Sequence, residues 1–113
     1  MKQADNNKSR EIYKMHAAFC KFMGSPKRIE ILFLLGNGEK CVDELARLMK
    51  INIPNVSQNL TMMRERGIVE SRRDGTKIYY RLSNPKILEL CISMRDLMFE
   101  QLNKKINAVG VNK

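Results

Sequence analysis

The sequence predicts a mostly α-helical domain with one small β-hairpin, and three observations predict it. Apolar residues recur at helical spacing, as in Ile12, Met15 and Phe19, and again in Val56, Leu60 and Met63. Proline and glycine punctuate the intervals: "SP" and "NP" open helices, and Gly24, Gly36 and Gly67 close them. After Gly67 the rhythm changes, and Lys77, Ile78, Tyr79, Tyr80, Arg81 and Leu82 alternate as a strand does.

Taken in order, the first eight residues are polar, and Ile12, Met15, Phe19, Phe22 and Met23 then form the stripe of a first helix ending at Gly24. "SPKRIEILFLLG" predicts a second helix, with Ser25 as N-cap, Pro26 at its first position and Gly36 as its stop. Its Ile29, Ile31, Leu32, Phe33 and Leu35 mark it as the core. "CVDELARLMK" gives a short amphipathic third helix through Val42, Leu45, Leu48 and Met49, and Asn52 caps a fourth that runs to about Arg66. "SRRDGTKIYYRLS" supplies the hairpin, with Asp74-Gly75 read as its two-residue turn. Ser83 or Asn84 then caps a last helix, opened by Pro85 and reaching about Lys105. The expected organisation is a mobile arm at 1–8, one folded domain at 9–105, and a mobile basic tail at 106–113.

A chain of 113 residues holds one core and no separate substrate domain. With 21 Lys and Arg against 12 Asp and Glu, its charge of +9 favours a polyanionic partner, nucleic acid before a membrane surface. The longest apolar run, "ILFLL", is far too short to span a bilayer, and "MKQADNNKSR" has no signal-peptide core, so a cytoplasmic protein without a membrane partner is expected. Three scattered cysteines, Cys20, Cys41 and Cys91, form no C-x-x-C pair, which argues against a disulfide framework or a zinc finger.

Helix, short turn, helix and hairpin is the order of a winged helix-turn-helix: about five helices plus a two-stranded wing. With Val56, Leu60 and Met63 inward, Pro54, Asn55, Gln58 and Thr61 face out, with Ser57 on the flank. Asn55, Ser57, Gln58 and Thr61 are short, polar and uncharged, which suits base edges in a major groove, although any soluble helix turns polar residues outward. From Lys50 to Arg81 seven basic residues stand against three acidic ones, and Lys50, Arg72, Arg73 and Lys77 are the expected phosphate contacts. The expected turn sets Arg72 opposite Lys77, a like-charge pair that a phosphate would relieve. The first and last helices carry more apolar surface than one small domain needs, so a homodimer through these terminal helices is expected.

On "GSPKRIEILFLLGNGEKCVDELARLMKINIPNVSQNLTMMRERGIVESRRDGTKIYYRLS", Gly24 to Ser83, the chain resembles the ArsR/SmtB family of bacterial and archaeal winged-helix repressors. "SPKRIEIL", "VSQNL" and "MRERGIVESRRDGTKIYYRL" carry the likeness. The resemblance implies a homodimer on a two-fold symmetric, inverted-repeat operator in double-stranded DNA. It places the Asn52 to Arg66 helix of each subunit in a major groove and has an inducer release the complex.

The family's sensor sites are only partly present. The arsenic-type C-V-C pair is "CVD" here, with Asp43 in place of the second cysteine after Cys41. The zinc-type Asp-x-His of the last helix reads Asp96, Leu97, Met98, and Phe33 stands where persulfide sensors carry a cysteine. No cofactor and no metal ligand set is therefore expected. His16 and Cys20, one turn apart, and Cys91 on the last helix remain candidate sensor residues with Cys41, either as thiols or as a soft-metal site, against the plainer reading of cysteines as packing. An enzyme using His16 and Cys20 lacks an oxyanion site and an orienting group. A winged domain for protein or RNA contact is the other alternative.

Overall fold

The computed structural model describes residues 6–109. Its elements run α1 (Asn6–Met23), α2 (Pro26–Leu35), β1 (Lys40–Cys41), α3 (Val42–Met49), α4 (Ile53–Glu65), β2 (Val69–Asp74), β3 (Lys77–Leu82) and α5 (Lys86–Ala108). The helix boundaries follow local chemistry. Ser25 accepts from the Arg28 N–H at the head of α2, where Pro26 needs no donor partner, and Asn52 accepts from the Asn55 N–H at 2.8 Å at the head of α4. Glu44 folds back to accept from the Cys41 N–H at 3.2 Å and steadies the start of α3.

Ile31, Leu32, Leu45, Val56, Leu60, Met63 and Val69 are fully buried and join α2, α3, α4 and the sheet into one core. Each contributes ~1.5–3 kcal/mol of burial. Two expected core positions differ: Leu48 and Ile29 are exposed, and Ala46 takes the inward place on α3. A small residue there lets α3 lie close to its neighbours.

The hairpin has a different register from the expected one. Asp74 pairs with Lys77, so the two-residue turn is Gly75–Thr76 and not Asp74–Gly75. Gly75 has a φ of +65° and stands first in the turn, the place where a II′ hairpin demands glycine. Every cross-strand partner therefore moves by two residues. Arg72 faces Tyr79 and Arg73 faces Ile78, while the charged pairs are Asp74 with Lys77 and Glu70 with Arg81. The like-charge pair expected between Arg72 and Lys77 does not form. A third short strand completes the sheet in the order β1-β3-β2, with Lys40 opposite Tyr80 and Cys41 opposite Tyr79.

The terminal helices also extend further than expected. α1 opens at Asn6, so Asn6 to Lys8 of the expected arm are helical, and α5 continues to Ala108; the rest of both segments, 1–5 and 110–113, lies outside the described residues. Both helices leave most of their apolar surface uncovered. Met15 on α1 and Leu90 on α5 are each 70% exposed, and Ile12, Met94, Met98, Phe99 and Leu102 are exposed as well. The Cα radius of gyration is 18.1 Å, against about 13 Å for a compact chain of this length.

Candidate nucleic-acid interface

α4 is held against the core by Val56, Leu60 and Met63, which fixes what the opposite face presents. Pro54, Gln58 and Thr61 are exposed, and Asn55 and Ser57 are half-buried at the margin. Not all of these groups are free. Thr61 donates its hydroxyl hydrogen to the Ser57 carbonyl at 3.0 Å, so its methyl and the acceptor lone pairs of its oxygen are what it presents. The Asn55 Oδ1 accepts from Asn59 Nδ2 at 3.0 Å. Among the described residues Gln58 makes no side-chain hydrogen bond and keeps its whole amide available.

Two residues outside the expected set hold this face in place. Arg28, on α2, donates through Nε to Asn59 Oδ1 at 3.1 Å and through Nη1 to the Phe22 carbonyl at 2.8 Å, and its guanidinium lies 4.0 Å from the Phe22 ring centre. Arg66 approaches the same ring at 4.4 Å. A sequence signal exists for Arg28 and for its partner Asn59. Arg28 falls on the stripe of Ile31, Leu32 and Leu35, and Asn59 sits a turn from Val56 and Met63, so each is a polar residue at the edge of a buried face.

Of the expected phosphate contacts, Lys50 ends α3 in the left-handed region with φ of 58°, exposed in the turn between α3 and α4. Arg73 and Lys77 are exposed near the tip of the wing and, among the described residues, make no ion pair. Arg72 is engaged: Nε donates to both Glu39 oxygens at 2.9 and 2.8 Å, and its guanidinium lies over Tyr79. Arg81 pairs with Glu70 at 2.8 Å and reaches Glu39 at 3.6 Å. Glu39 is thereby held below the usual carboxylate range, chiefly by the hydrogen bond from Arg72, and Arg72 is pushed up by the same bond.

The candidate sensor residues do not gather in one chain. His16 and Cys20 are exposed on α1, Cys41 is buried between β1 and α3, and Cys91 is half-buried on α5, where burial pushes its thiol up. Among the described residues no three His, Cys, Asp or Glu side chains are placed to hold a metal ion.

Residues 25–71, from the N-cap of α2 into the wing, match the family described as "Bacterial regulatory protein, arsR family". The uncharacterized HTH-type transcriptional regulator Rv0081 of Mycobacterium tuberculosis is 34% identical over 99 residues, 87% of each chain. The chain belongs to the arsR family. The crystal structure of Rv0081 superposes with a TM-score of 0.78 over 84% of this chain and 96% of that one, at 34% identity. A homodimeric winged helix-turn-helix DNA-binding domain from Mycobacterium bovis, solved by NMR, reaches 0.74 at 27% identity over 90% of this chain and 91% of its own. The repressor BigR of Xylella fastidiosa reaches 0.69 at 31% identity over 85% and 95%. This arsR-family chain is thus a winged helix-turn-helix and a DNA-binding transcriptional regulator, not an enzyme. No helix among its described residues is long and apolar enough to cross a membrane.

Proposed function

We propose that this regulator is a homodimeric cytoplasmic repressor that reads an inverted-repeat operator with α4, grips phosphates with Lys50 and the wing, and is released by an inducer. The observation that carries the reading is that the exposed Gln58 and Thr61 of α4 are followed directly along the chain by a wing whose exposed Arg73 and Lys77 make no ion pair among the described residues. Base-reading and phosphate-holding groups lie on consecutive elements of one fold, as a winged helix needs. The uncovered apolar faces of α1 and α5 support the dimer, since a monomer would leave Met15, Leu90, Met94 and Phe99 in water. The homodimeric M. bovis relative supports it too.

For the inducer we favour thiol chemistry, supported by the exposure of Cys20 on α1. A metal held by Cys20, His16 and Cys91 requires those residues to meet across two subunits.

Sedimentation together with footprinting on a duplex selected from a randomised library tests the proposal. A dimer at micromolar concentration, protecting inverted half-sites about one helical turn apart, ~34–36 Å, is the expected result. A monomer, or protection without two-fold symmetry, overturns it.

A further inference from the structure

Arginine carries only hydrogen-bond donors, and that fact orders a chain of side chains leading to α4. Because Arg28 Nε meets Asn59 at 3.1 Å, the atom of Asn59 that faces it must be the amide oxygen. The Asn59 NH2 is then turned back along α4, where it meets two acceptors of Asn55, the backbone carbonyl at 2.9 Å and Oδ1 at 3.0 Å. The Asn55 oxygen is therefore drawn toward Asn59. Its NH2 is left as the free end of the chain.

We propose that Asn59, its amide oriented by Arg28 and by the Asn55 backbone carbonyl, sets the polarity of Asn55, so that Asn55 reads DNA as a donor and requires an acceptor on the base edge it meets. This rests on the reading of α4 as the base-reading helix. Adenine, guanine and thymine each offer a major-groove acceptor, at N7, at N7 and O6, and at O4, whereas cytosine offers only its N4 donor. One position in each half-site consequently rejects cytosine on the contacted strand. Without Asn59 nothing among the described residues would hold the Asn55 oxygen; the Asn55 amide could turn over, and the selection would be lost. Asn59 is thus a positioning residue: it is half-buried on α4, and it acts through Asn55.

The test uses a duplex enriched by the wild-type protein from a randomised library, and variants of that duplex with each base substituted in turn. Wild type should bind about tenfold more weakly when cytosine replaces the base at one position of the half-site. Asn59→Ala removes the donor that holds the Asn55 oxygen. It should reduce that discrimination to about twofold and leave the other positions unchanged. In an Asn55→Ala background Asn59→Ala should change nothing further, a result that general loosening of the fold would not give. Arg28→Met, which removes one of the two contacts that orient Asn59, should lower the discrimination part-way, and it supplies the same reading if Asn59→Ala melts below the assay temperature. The inference is overturned if wild type rejects cytosine nowhere, if the variants keep the discrimination, or if Asn59→Ala relaxes every position equally. A wild-type protein that enriches no sequence at all overturns the operator reading itself, which is a separate and recognisable result.

Discussion

Arg72 is clamped to Glu39, its Nε within 2.9 Å of both carboxylate oxygens and its Nη2 at 2.8 Å from one of them. The clamp joins the second strand of the sheet to the loop after α2, and Arg81 reaches the same carboxylate. It fixes the wing relative to the core that carries α4. It also occupies a cation that would otherwise be open to phosphate.

Glu39→Gln should therefore strengthen binding to every duplex, operator and random alike, by freeing Arg72 and removing a negative charge from the interface. Log–log plots of affinity against salt should steepen by up to about one unit of slope, because one more cation displaces a counterion. Unchanged slopes would mean that Arg72 stays away from the phosphates even when released.

The same pair predicts an acid-side effect. Glu39 has a lowered folded-state pKa, so its contribution to stability is present above its unfolded pKa of about 4.3 and is lost as the pH falls through the folded value. Wild type should melt above Glu39→Gln at neutral pH, and the difference should close below about pH 4.3. Because Arg72 is exposed and Glu39 only half-buried, solvent screens the pair and the gap is small. A gap that persists into strong acid would show that the glutamine variant is damaged in some other way.

Reading and anchoring should separate by residue. Gln58→Ala should cost ~1–3 kcal/mol on the selected operator and little on random DNA, since its amide is uncommitted. Arg73→Ala and Lys77→Ala should weaken both and lower the salt slope by about one each, with Arg72→Ala doing less because Glu39 already holds that cation. Equal losses on operator and random DNA for Gln58→Ala would remove it from base reading.

Much of this was legible in the sequence because it rests on local rules. Ser25-Pro26, Asn52 and the Val56, Leu60 and Met63 stripe set the ends and the facing of α2 and α4, and the structure follows them. The wing failed by two residues for a nameable reason. Asp-Gly is a favoured type I′ turn pair, but this hairpin uses Gly75 as the first residue of its turn, and the choice is fixed by pairings such as Val69 with Leu82 and Glu70 with Arg81, far from the turn itself. Arg28 and Asn59 could be marked as polar residues at the edge of a buried face, but that Arg28 meets Asn59 and Glu39 meets Arg72 was not legible, because each pair is about thirty residues apart in the chain and no periodicity encodes that.

Lys50 offers a case where stability and binding should move oppositely. It is the one non-glycine residue with positive φ among the described residues, a conformation that costs a side-chain-bearing residue ~1–2 kcal/mol. Lys50→Gly should hold or raise the melting temperature while lowering the salt slope on DNA by about one unit. A variant that is less stable and binds DNA as before would reverse both assignments.

The last prediction concerns the thiols. Cys20 is exposed on α1, Cys41 is buried in β1 at the head of α3, and burial pushes the Cys91 thiol up, so alkylation should reach Cys20 first and Cys91 and Cys41 only on local opening. If the dimer forms through α1 and α5, adding polar atoms at Cys20 alters the packing that spaces two reading helices, and DNA affinity should fall on mild oxidation. Zinc and arsenite at stoichiometric concentration should leave the complex intact, because Asp43 follows Cys41 where the arsenic-type pair has a second thiol and Met98 follows Asp96 where the zinc-type pair has histidine. The comparison is DNA affinity before and after oxidant for wild type, Cys20→Ser and Cys91→Ser, with modified thiols mapped by mass spectrometry. Loss of the response in Cys20→Ser alone places the switch on α1. A response that survives in a variant lacking all three cysteines shows that they serve packing only.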